Sequence, residues 1–263
     1  MAYTIAISNE KGGVAKTTTT FSLGASLVEL GKRVLLIDLD AQANLSLANS
    51  IEPSSTNQNS SQVLLEGMLI RDAICKTSMD GLNIVPCGAR MSDAEHFLPV
   101  RINYQFILRE AIDQAKLDDY DYVILDCPPS MGAITVNALT ASDLLIIPTQ
   151  AEYFSAYALR DMMVMIRRIR KETNPDLAYR ILVTLLDQRN RTHRVIREQL
   201  QQTFGAGLFS TVVEIDTRLR ESPIVGMPIS QYRPKSRGAQ QYRVLAEELM
   251  EYVRQQKDSQ SAQ

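Results

Sequence analysis

The residues best suited to chemistry lie in a glycine-containing loop near the start of the chain, Lys11-Gly12-Gly13-Val14-Ala15-Lys16-Thr17-Thr18. A loop of this kind binds nucleotide phosphates through backbone N–H groups and its Lys-Thr pair, with the threonine hydroxyl on Mg²⁺. The spacing departs from the common G-x-x-x-x-G-K-[ST] pattern, because Glu10 and Ala15 occupy the two glycine positions. The additional lysine, Lys11, also distinguishes it. We therefore expect phosphate binding by a loop of a different type.

Three acidic residues follow apolar segments that have the composition of buried strands. Asp38 and Asp40 follow one such segment, and Asp126 follows another. Ligands of open α/β sheets bind beyond the carboxyl ends of the strands, so these carboxylates are predicted to meet the glycine loop at one edge. We assign Asp126 to Mg²⁺, through a water molecule. The structural alternative is that Asp126 caps a helix that begins near Pro128-Pro129.

These residues must be positioned by the rest of the chain, which alternates short apolar strands with helical stretches. Strands that are apolar on both faces, each followed by a helix, indicate a parallel sheet covered on both sides. We predict a doubly wound α/β fold, with a mostly parallel sheet and helices on both faces, as a single domain over residues 1–254. The polar loop 52–62 is predicted to be mobile and the tail 255–263 to be disordered. The predicted strands lie at 3–8, 34–37, 81–86, 122–125, 144–148 and 180–186, and the predicted helices at 17–31, 101–117, 155–172, 192–203 and 240–255.

The composition indicates a soluble protein from a reducing compartment. With 45% hydrophobic and 22% charged residues, the chain resembles an ordinary globular protein. Its three cysteines have no paired spacing, which argues against a disulfide framework. No apolar stretch approaches the roughly 20 residues of a membrane span, and the first apolar segment lacks the basic lead of a signal peptide. We expect a cytoplasmic protein.

The net charge of −2 hides a basic region. Residues 160–220 contain twelve arginines and lysines but only seven acidic residues. Several of the arginines lie on or just before the predicted helix 192–203, and others follow the next strand. They are Arg189, Arg191, Arg194, Arg197, Arg218 and Arg220. Such a cluster is suited to sequence-independent contacts with DNA phosphates, and the alternative is a solvated basic helix.

The glycine loop 11–18 resembles the deviant Walker A box of the ParA/MinD ATPase superfamily, in which the additional lysine is a signature. Residues 38–42, Asp-Leu-Asp-Ala-Gln, are similar to its switch I, and residues 125–130, Leu-Asp-Cys-Pro-Pro-Ser, to its Walker B and switch II. Segments at 150–154, 218–223 and 236–239 also resemble small ParA/Soj partition ATPases. The similarity spans residue 3 to about 254, and it implies a P-loop ATPase.

The resemblance implies a role for each matching residue. ATP would be bound by Lys11, Gly12, Gly13, Val14, Ala15, Lys16, Thr17 and Thr18, with Thr17, Asp38 and Asp126 around Mg²⁺. Lys16 would contact the β- and γ-phosphates, and Asp40 would orient the attacking water. Lys11 would cross the interface of an ATP-dependent homodimer to the partner's nucleotide. The alternative for Lys11 is an ordinary solvated loop lysine.

Two positions depart from the family pattern. Ala15 replaces a glycine, so a left-handed conformation there would cost about 1 kcal/mol. Glu214 and Asp216 stand where the family has the Pro and Asn of a Pro-Arg-Asn segment at the adenine edge. We expect both to contact the base, with less secure selectivity for adenine. Cys127, beside switch II, is interpreted as a small buried residue and not as a ligand of an iron–sulfur cluster.

The superfamily has DNA-bound and membrane-bound members. MinD-like regulators end in an amphipathic helix that lies on the membrane, whereas this chain ends in the polar EYVRQQKDSQSAQ. The resemblance therefore favours a nucleoid-associated ParA-type ATPase that binds nonspecific DNA through the six arginines, with no membrane partner. A ParB-like or adaptor protein would stimulate hydrolysis, and the cargo would be a plasmid, a chromosome or a protein assembly such as carboxysomes. A MinD-like membrane-cycling regulator is the alternative.

Overall fold

The computed structural model describes residues 2–153 and 155–261, and within them eight strands form one sheet. The strands are β1 (Tyr3–Ile7), β2 (Val34–Asp38), β3 (Cys75–Lys76), β4 (Leu82–Val85), β5 (Tyr122–Asp126), β6 (Leu144–Gln150), β7 (Ala178–Leu186) and β8 (Leu208–Glu214). Their order is β3-β4-β2-β5-β1-β6-β7-β8. All neighbouring strands are parallel except β3 and β4, which are antiparallel. The predicted mostly parallel sheet is confirmed.

Helices connect these strands and cover the sheet. The α-helices are α1 (Lys16–Glu29), α2 (Asn44–Ala48), α3 (Ser60–Glu66), α4 (Met91–Phe97), α5 (Ile107–Ala115), α6 (Ala133–Thr140), α7 (Ser155–Glu172), α8 (Arg191–Phe204), α9 (Arg218–Glu221), α10 (Ile229–Tyr232) and α11 (Arg237–Ser261). Short 3₁₀ turns lie at Ile70–Ala73, Leu98–Val100, Tyr104–Phe106, Gly205–Gly207 and Ser222–Val225. None of the helices in the described ranges combines the length and the apolar character needed to cross a membrane.

Apolar residues that alternate along the central strands build a core on each face of the sheet. In β2, Leu35 and Ile37 pack into one core, and Val34 and Leu36 pack into the other. Every residue of β2 and β5 is buried. Strands buried on both faces read as continuous apolar runs, which is why the sequence pattern predicted the doubly wound fold correctly.

The strand order brings the predicted functional segments together. Because β5 lies between β1 and β2, the last residue of β5, Asp126, is in register with Ile7 on one side and with Asp38 on the other. The glycine loop follows β1 directly and leads into α1. The carboxyl ends of three adjacent strands therefore form one site, as the sequence analysis expected.

Two segments predicted to be irregular contain helix in the structure. The tail predicted to be disordered over 255–263 is helical as far as Ser261, while Ala262 and Gln263 lie outside the described residues. Extending an established helix adds one hydrogen bond per residue fixed, and Arg254 pairs with Asp258 one turn further on. Of the loop 52–62 predicted to be mobile, residues 60–62 begin α3, and the Ser60 hydroxyl donates to the Asp38 carbonyl at 2.6 Å.

The remaining differences concern the extent of elements. The helix predicted over 101–117 is shorter, since α5 begins at Ile107 after the 3₁₀ turn Tyr104–Phe106. Asn103 before that turn is left-handed, with φ of 55°, which interrupts a helix at this point. The extent of the predicted single domain over residues 1–254 stays a prediction.

Candidate functional site

The glycine loop is held by polar contacts to neighbouring strands. The Asn9 side chain donates to the Pro148 carbonyl at 2.7 Å and accepts from the Lys11 backbone N–H at 3.0 Å. On the other side, the Thr184 hydroxyl of β7 donates to the Val14 carbonyl at 3.0 Å. Both anchors are buried, so the loop is fixed before any ligand binds. The roles of Asn9 and Thr184 were not predicted from the sequence, because they depend on the order of β1, β6 and β7.

Left-handed backbone shapes the loop. Gly13 has φ of 74°, and Ala15 has φ of 66° and ψ of 36°. A Cβ built on Gly12 or Gly13 would meet no atom within 4 Å, because this side of the loop is open. Backbone N–H groups beside an open space, at the N-terminus of α1, are suited to binding an anion. The loop therefore has the form expected of a phosphate site, including the strain anticipated at Ala15.

Lys16 provides a buried positive charge beneath this loop. Its Nζ donates to the Lys11 carbonyl at 3.4 Å, and the residue is only 8% exposed. Burial lowers the pKa of the Lys16 ammonium, while the carboxylates of Asp126 and Asp40 act in the opposite direction. A negatively charged phosphate would stabilise this ammonium in the same way.

Two carboxylates lie side by side at the ends of adjacent strands. Asp126 accepts from the Thr17 hydroxyl at 2.7 Å and from the Thr20 hydroxyl at 3.1 Å. The helix that follows, α6, begins after Gly132, which is its N-cap residue. The alternative role of Asp126 as a helix cap is therefore wrong. Asp38 accepts from the backbone N–H of Ser46 at 2.8 Å and from its hydroxyl at 2.7 Å. Both aspartates are fully buried.

The burial of this pair makes its negative charge unfavourable. Burial raises the pKa of Asp126, and the neighbouring charge of Asp38 raises it further. Burial likewise raises the pKa of Asp38, although its hydrogen bonds to Ser46 oppose the shift. A divalent cation would favour the charged form of both carboxylates.

The donor set fits Mg²⁺ but not a cation held by protein alone. Within the described ranges, no group of three or more His, Cys, Asp or Glu side chains is placed to hold a metal ion. Mg²⁺ commonly takes one or two carboxylates and completes its shell with waters and substrate phosphates. The Thr17 hydroxyl and the carboxylates of Asp38 and Asp126 match that requirement.

Asp40 lies at the turn between β2 and α2. One of its oxygens accepts from the Gln42 N–H at 3.0 Å, and its own N–H donates to Asp38 at 3.2 Å. The other carboxylate oxygen has no hydrogen bond within the described part of the chain. Asp40 is therefore positioned by backbone contacts, with one oxygen left to bind a further group.

Lys11 is bound by its own chain. Its Nζ lies 2.6 Å from the carboxylate oxygen Oε2 of Glu152 and 3.0 Å from the side-chain amide oxygen Oε1 of Gln150. Gln150 also donates to the Gly13 carbonyl at 3.3 Å, so the end of β6 contacts the glycine loop twice. Both roles considered for Lys11, the contact across a dimer interface and the ordinary loop lysine, stay predictions. Glu152 is a functional candidate that was not predicted from the sequence.

Glu214 and Asp216 are bound to basic and backbone groups instead of the glycine loop. Asp216 accepts from the backbone N–H groups of Arg218 and Gly238 at 3.1 and 3.0 Å. Glu214 accepts from Arg237 at 2.7 Å. No hydrogen bond joins either acid to residues 11–18 within the described ranges, and their predicted contact with a base stays a prediction.

The predicted basic residues lie at the carboxyl edge of β7 and β8. Arg189, 93% exposed, is 3.3 Å from Asp187, and Arg194 donates to the Gln188 carbonyl at 2.8 Å. Arg191, Arg218 and Arg220 are exposed and Arg197 is half-buried. The Gln188 side chain donates to Glu214 at 2.6 Å, which joins the loop before α8 to the end of β8.

Comparison with known proteins decides the family. An AAA domain family model matches residues 2–179. Soj, the sporulation initiation inhibitor protein of Bacillus subtilis, is 39% identical over 250 residues, which cover 95% of this chain and 98% of Soj. The chain belongs to the ParA/Soj family. The resemblance inferred from the glycine loop and the switch segments is confirmed.

Solved structures share the fold of this ParA/Soj chain. Cobyrinic acid a,c-diamide synthase of Mycobacterium smegmatis, bound to an ATP analogue and magnesium, is 32% identical with a TM-score of 0.81, covering 97% of this chain and 96% of that one. A Borrelia burgdorferi B31 protein assigned to plasmid partition and bound to AMPPNP is 25% identical with a TM-score of 0.82. The match covers 96% of this chain and 100% of that one. Both matches extend over nearly the full sheet.

We predict that Ala15→Gly stabilises the protein. Left-handed backbone costs an alanine about 1–2 kcal/mol, whereas the freedom that glycine gains in the unfolded chain costs about 0.4–1 kcal/mol. Urea unfolding should therefore show a higher midpoint for the variant. Ala141→Gly is the matched control, because Ala141 has a right-handed φ of −86° and its replacement should destabilise. A loss of stability in both variants would contradict the assigned strain.

Proposed function

We propose that this chain is a Mg²⁺-dependent ATPase that dimerises on ATP, binds DNA without sequence preference and positions a cargo on the nucleoid in the cytoplasm. The observation that carries the proposal is the convergence of the glycine loop, the buried Lys16 and the Asp38–Asp126 pair at one edge of the sheet. The nucleotide-bound relatives support ATP and Mg²⁺ as the ligands.

ATP binding follows from the loop and the charges beneath it. The N–H groups of residues 12–18 contact the phosphates, and Lys16 neutralises charge on the β- and γ-phosphates. Mg²⁺ supplies further charge compensation, and Thr17, Asp38 and Asp126 are the residues that would hold it. Phosphoryl transfer depends on positioning and charge compensation, with little covalent help from the protein. Asp40 orients the attacking water with its second oxygen.

Dimerisation depends on Lys11. In the proposed dimer its ammonium leaves Glu152 and Gln150 and contacts the partner's nucleotide. The contact with Glu152 is half-exposed, with side-chain exposures of 28% and 48%, so breaking it costs less than about 1 kcal/mol. A nucleotide phosphate, which carries more negative charge than one carboxylate, is a stronger partner for the lysine.

DNA binding rests on the six arginines. A single subunit offers few phosphate contacts, which give weak binding at physiological salt. An ATP-bridged dimer presents two copies of each arginine, so affinity rises when ATP joins the subunits. A ParB-like or adaptor protein then stimulates hydrolysis and release. Residues 254–259 of α11 are polar and exposed.

The first prediction from this proposal concerns hydrolysis. Asp40→Ala should bind ATP and dimerise but lower kcat by about 10²-fold or more, because only the positioning of water is lost. Lys16→Ala is the contrasting variant, and it should lose ATP binding itself. Calorimetry with ATP and a phosphate-release assay on both variants measure the two effects. Hydrolysis at the wild-type rate in Asp40→Ala would remove its assigned role.

The second prediction concerns the lysine that must change partners. Glu152→Gln removes the carboxylate that holds Lys11 in its own subunit, so ATP-dependent dimerisation should strengthen by up to about fivefold. Sedimentation across a protein concentration series with ATP measures this. Glu172→Gln is a matched control, since Glu172 forms a similarly exposed pair with Arg168 far from the loop. Weaker dimerisation in Glu152→Gln alone would contradict the competition.

The third prediction concerns nucleotide control of DNA binding. Wild type should bind random duplex DNA more tightly in ATP than in ADP, with affinity that falls as salt rises. Arg189→Glu and Arg218→Glu should lose DNA but still dimerise, whereas Lys11→Ala should lose both. Lys76→Glu, at the opposite edge of the sheet, is the charge-reversal control. Equal binding of wild type in the two nucleotides would overturn the proposed switch.

A further inference from the structure

We propose that a cationic cavity beside α9 binds phosphodiester groups of DNA, in addition to the six arginines of the basic region. The cavity has a volume of about 430 Å³. Four cationic side chains line it, namely Arg218, Arg233, Lys235 and Arg237. Only Arg218 belongs to the arginines that the sequence singled out. The inference rests on the proposed DNA binding and names a further part of that interface.

The charges around the cavity are not balanced. None of its lining residues is acidic. Arg237 is paired with Glu214 at 2.7 Å, and Arg218 lies 3.7 Å from Asp216. Arg233 and Lys235 have no ion-pair partner within the described ranges. Two cations of the lining, Arg233 and Lys235, therefore remain available to an anion.

A rigid turn carries these two cations. The Ser236 N–H donates to the Arg233 carbonyl at 2.9 Å, with Pro234 between them at the position that proline favours in a β-turn. The Arg233 guanidinium lies 4.9 Å from the ring centroid of Tyr232, within the range of a cation–π contact. A cation held in place loses less entropy when it binds a phosphate, so this turn is preorganised.

The ring of Tyr232 is itself fixed. Its hydroxyl donates to Glu221 at 3.1 Å, which joins the end of α10 to the end of α9. On the other side of the turn, the Ser236 hydroxyl accepts from the Ala239 N–H at 3.2 Å at the start of α11. The lining residues thus come from α9, α10, α11 and the turn between α10 and α11.

The lining chemistry favours the DNA backbone over other anionic partners. Apart from the four cations the lining contains Tyr232, Pro234 and Ser236, and none of the Asn or Gln side chains that read base edges. It also lacks a large aliphatic side chain that would enter a lipid layer. Arg218 joins the cavity to the rest of the proposed DNA surface. A continuous strand of phosphates is the anion that such an arrangement fits.

The test is the salt dependence of binding. Arg233→Gln and Lys235→Gln, singly and together, keep much of the side-chain length and remove the charge. Each phosphate contact contributes about 0.9 to the slope of log affinity against log salt, so the double variant should lose about 1.8 for every cavity engaged. At about 0.1 M salt its affinity for random duplex DNA in ATP should fall at least roughly tenfold.

The controls separate this proposal from the proposed function. Lys76→Gln should keep the wild-type slope. The double variant should bind ATP normally, because Arg233 and Lys235 belong neither to the glycine loop nor to the predicted base contacts Glu214 and Asp216. If wild type fails to bind DNA in ATP, the proposed function fails. If wild type binds and the double variant keeps its slope, only the cavity assignment fails. Loss of binding to phosphatidylglycerol vesicles without loss of DNA would also overturn it.

Discussion

The site depends on the burial of Asp38 and Asp126 side by side at the ends of adjacent strands. Their register places two carboxylates in the dry interior of the sheet edge, where a negative charge is unfavourable. Hydroxyl and N–H donors compensate part of that cost, and they come from two different helices. Thr17 and Thr20 of α1 donate to Asp126, and Ser46 of α2 donates to Asp38. The acid pair thereby fixes both helices to the sheet.

This arrangement has a consequence for ligand response. A cation that binds the acid pair would compete with these donors for the carboxylate oxygens, or would reorient them. The reason is that the oxygen that accepts from Thr17 has a limited number of lone pairs to share between the hydroxyl and the ion. The Ser46 hydroxyl also accepts from the Cys87 N–H at 2.8 Å, so a change at Asp38 reaches the segment after β4. Ligand binding at this edge is therefore coupled to α1, α2 and their neighbours through short contacts.

The sequence predicted the central features because they are local. An apolar run that ends in aspartate predicts both a buried strand and an acid at its carboxyl end, and Asp38 and Asp126 follow that rule. The short helices α2, α3, α4 and α6 were missed, since five to eight residues carry too little periodicity to separate a helix from a loop.

Contacts between distant segments could not be predicted in the same way. Glu152 lies 141 residues from Lys11, and their pairing depends on β6 being the neighbour of β1. Arg233 and Lys235 lie outside residues 160–220, the range in which the sequence shows an excess of basic residues. Only the fold brings them close to Arg218. Helix α11 extends past the predicted boundary because its packed face stabilises the polar turns that follow.

The acids at the end of β8, Glu214 and Asp216, connect the proposed ATP site to the proposed DNA surface. Glu214 holds Arg237 and accepts from Gln188, whose carbonyl accepts from Arg194. Each of these contacts joins a basic segment to one strand end, so a shift of that strand end moves cations on α8 and α11 together. The same carboxylates reduce the positive charge that those segments show to solvent. A DNA phosphate that draws Arg237 away would leave Glu214 with a weaker partner. This cost limits the affinity for DNA and keeps the proposed DNA binding reversible.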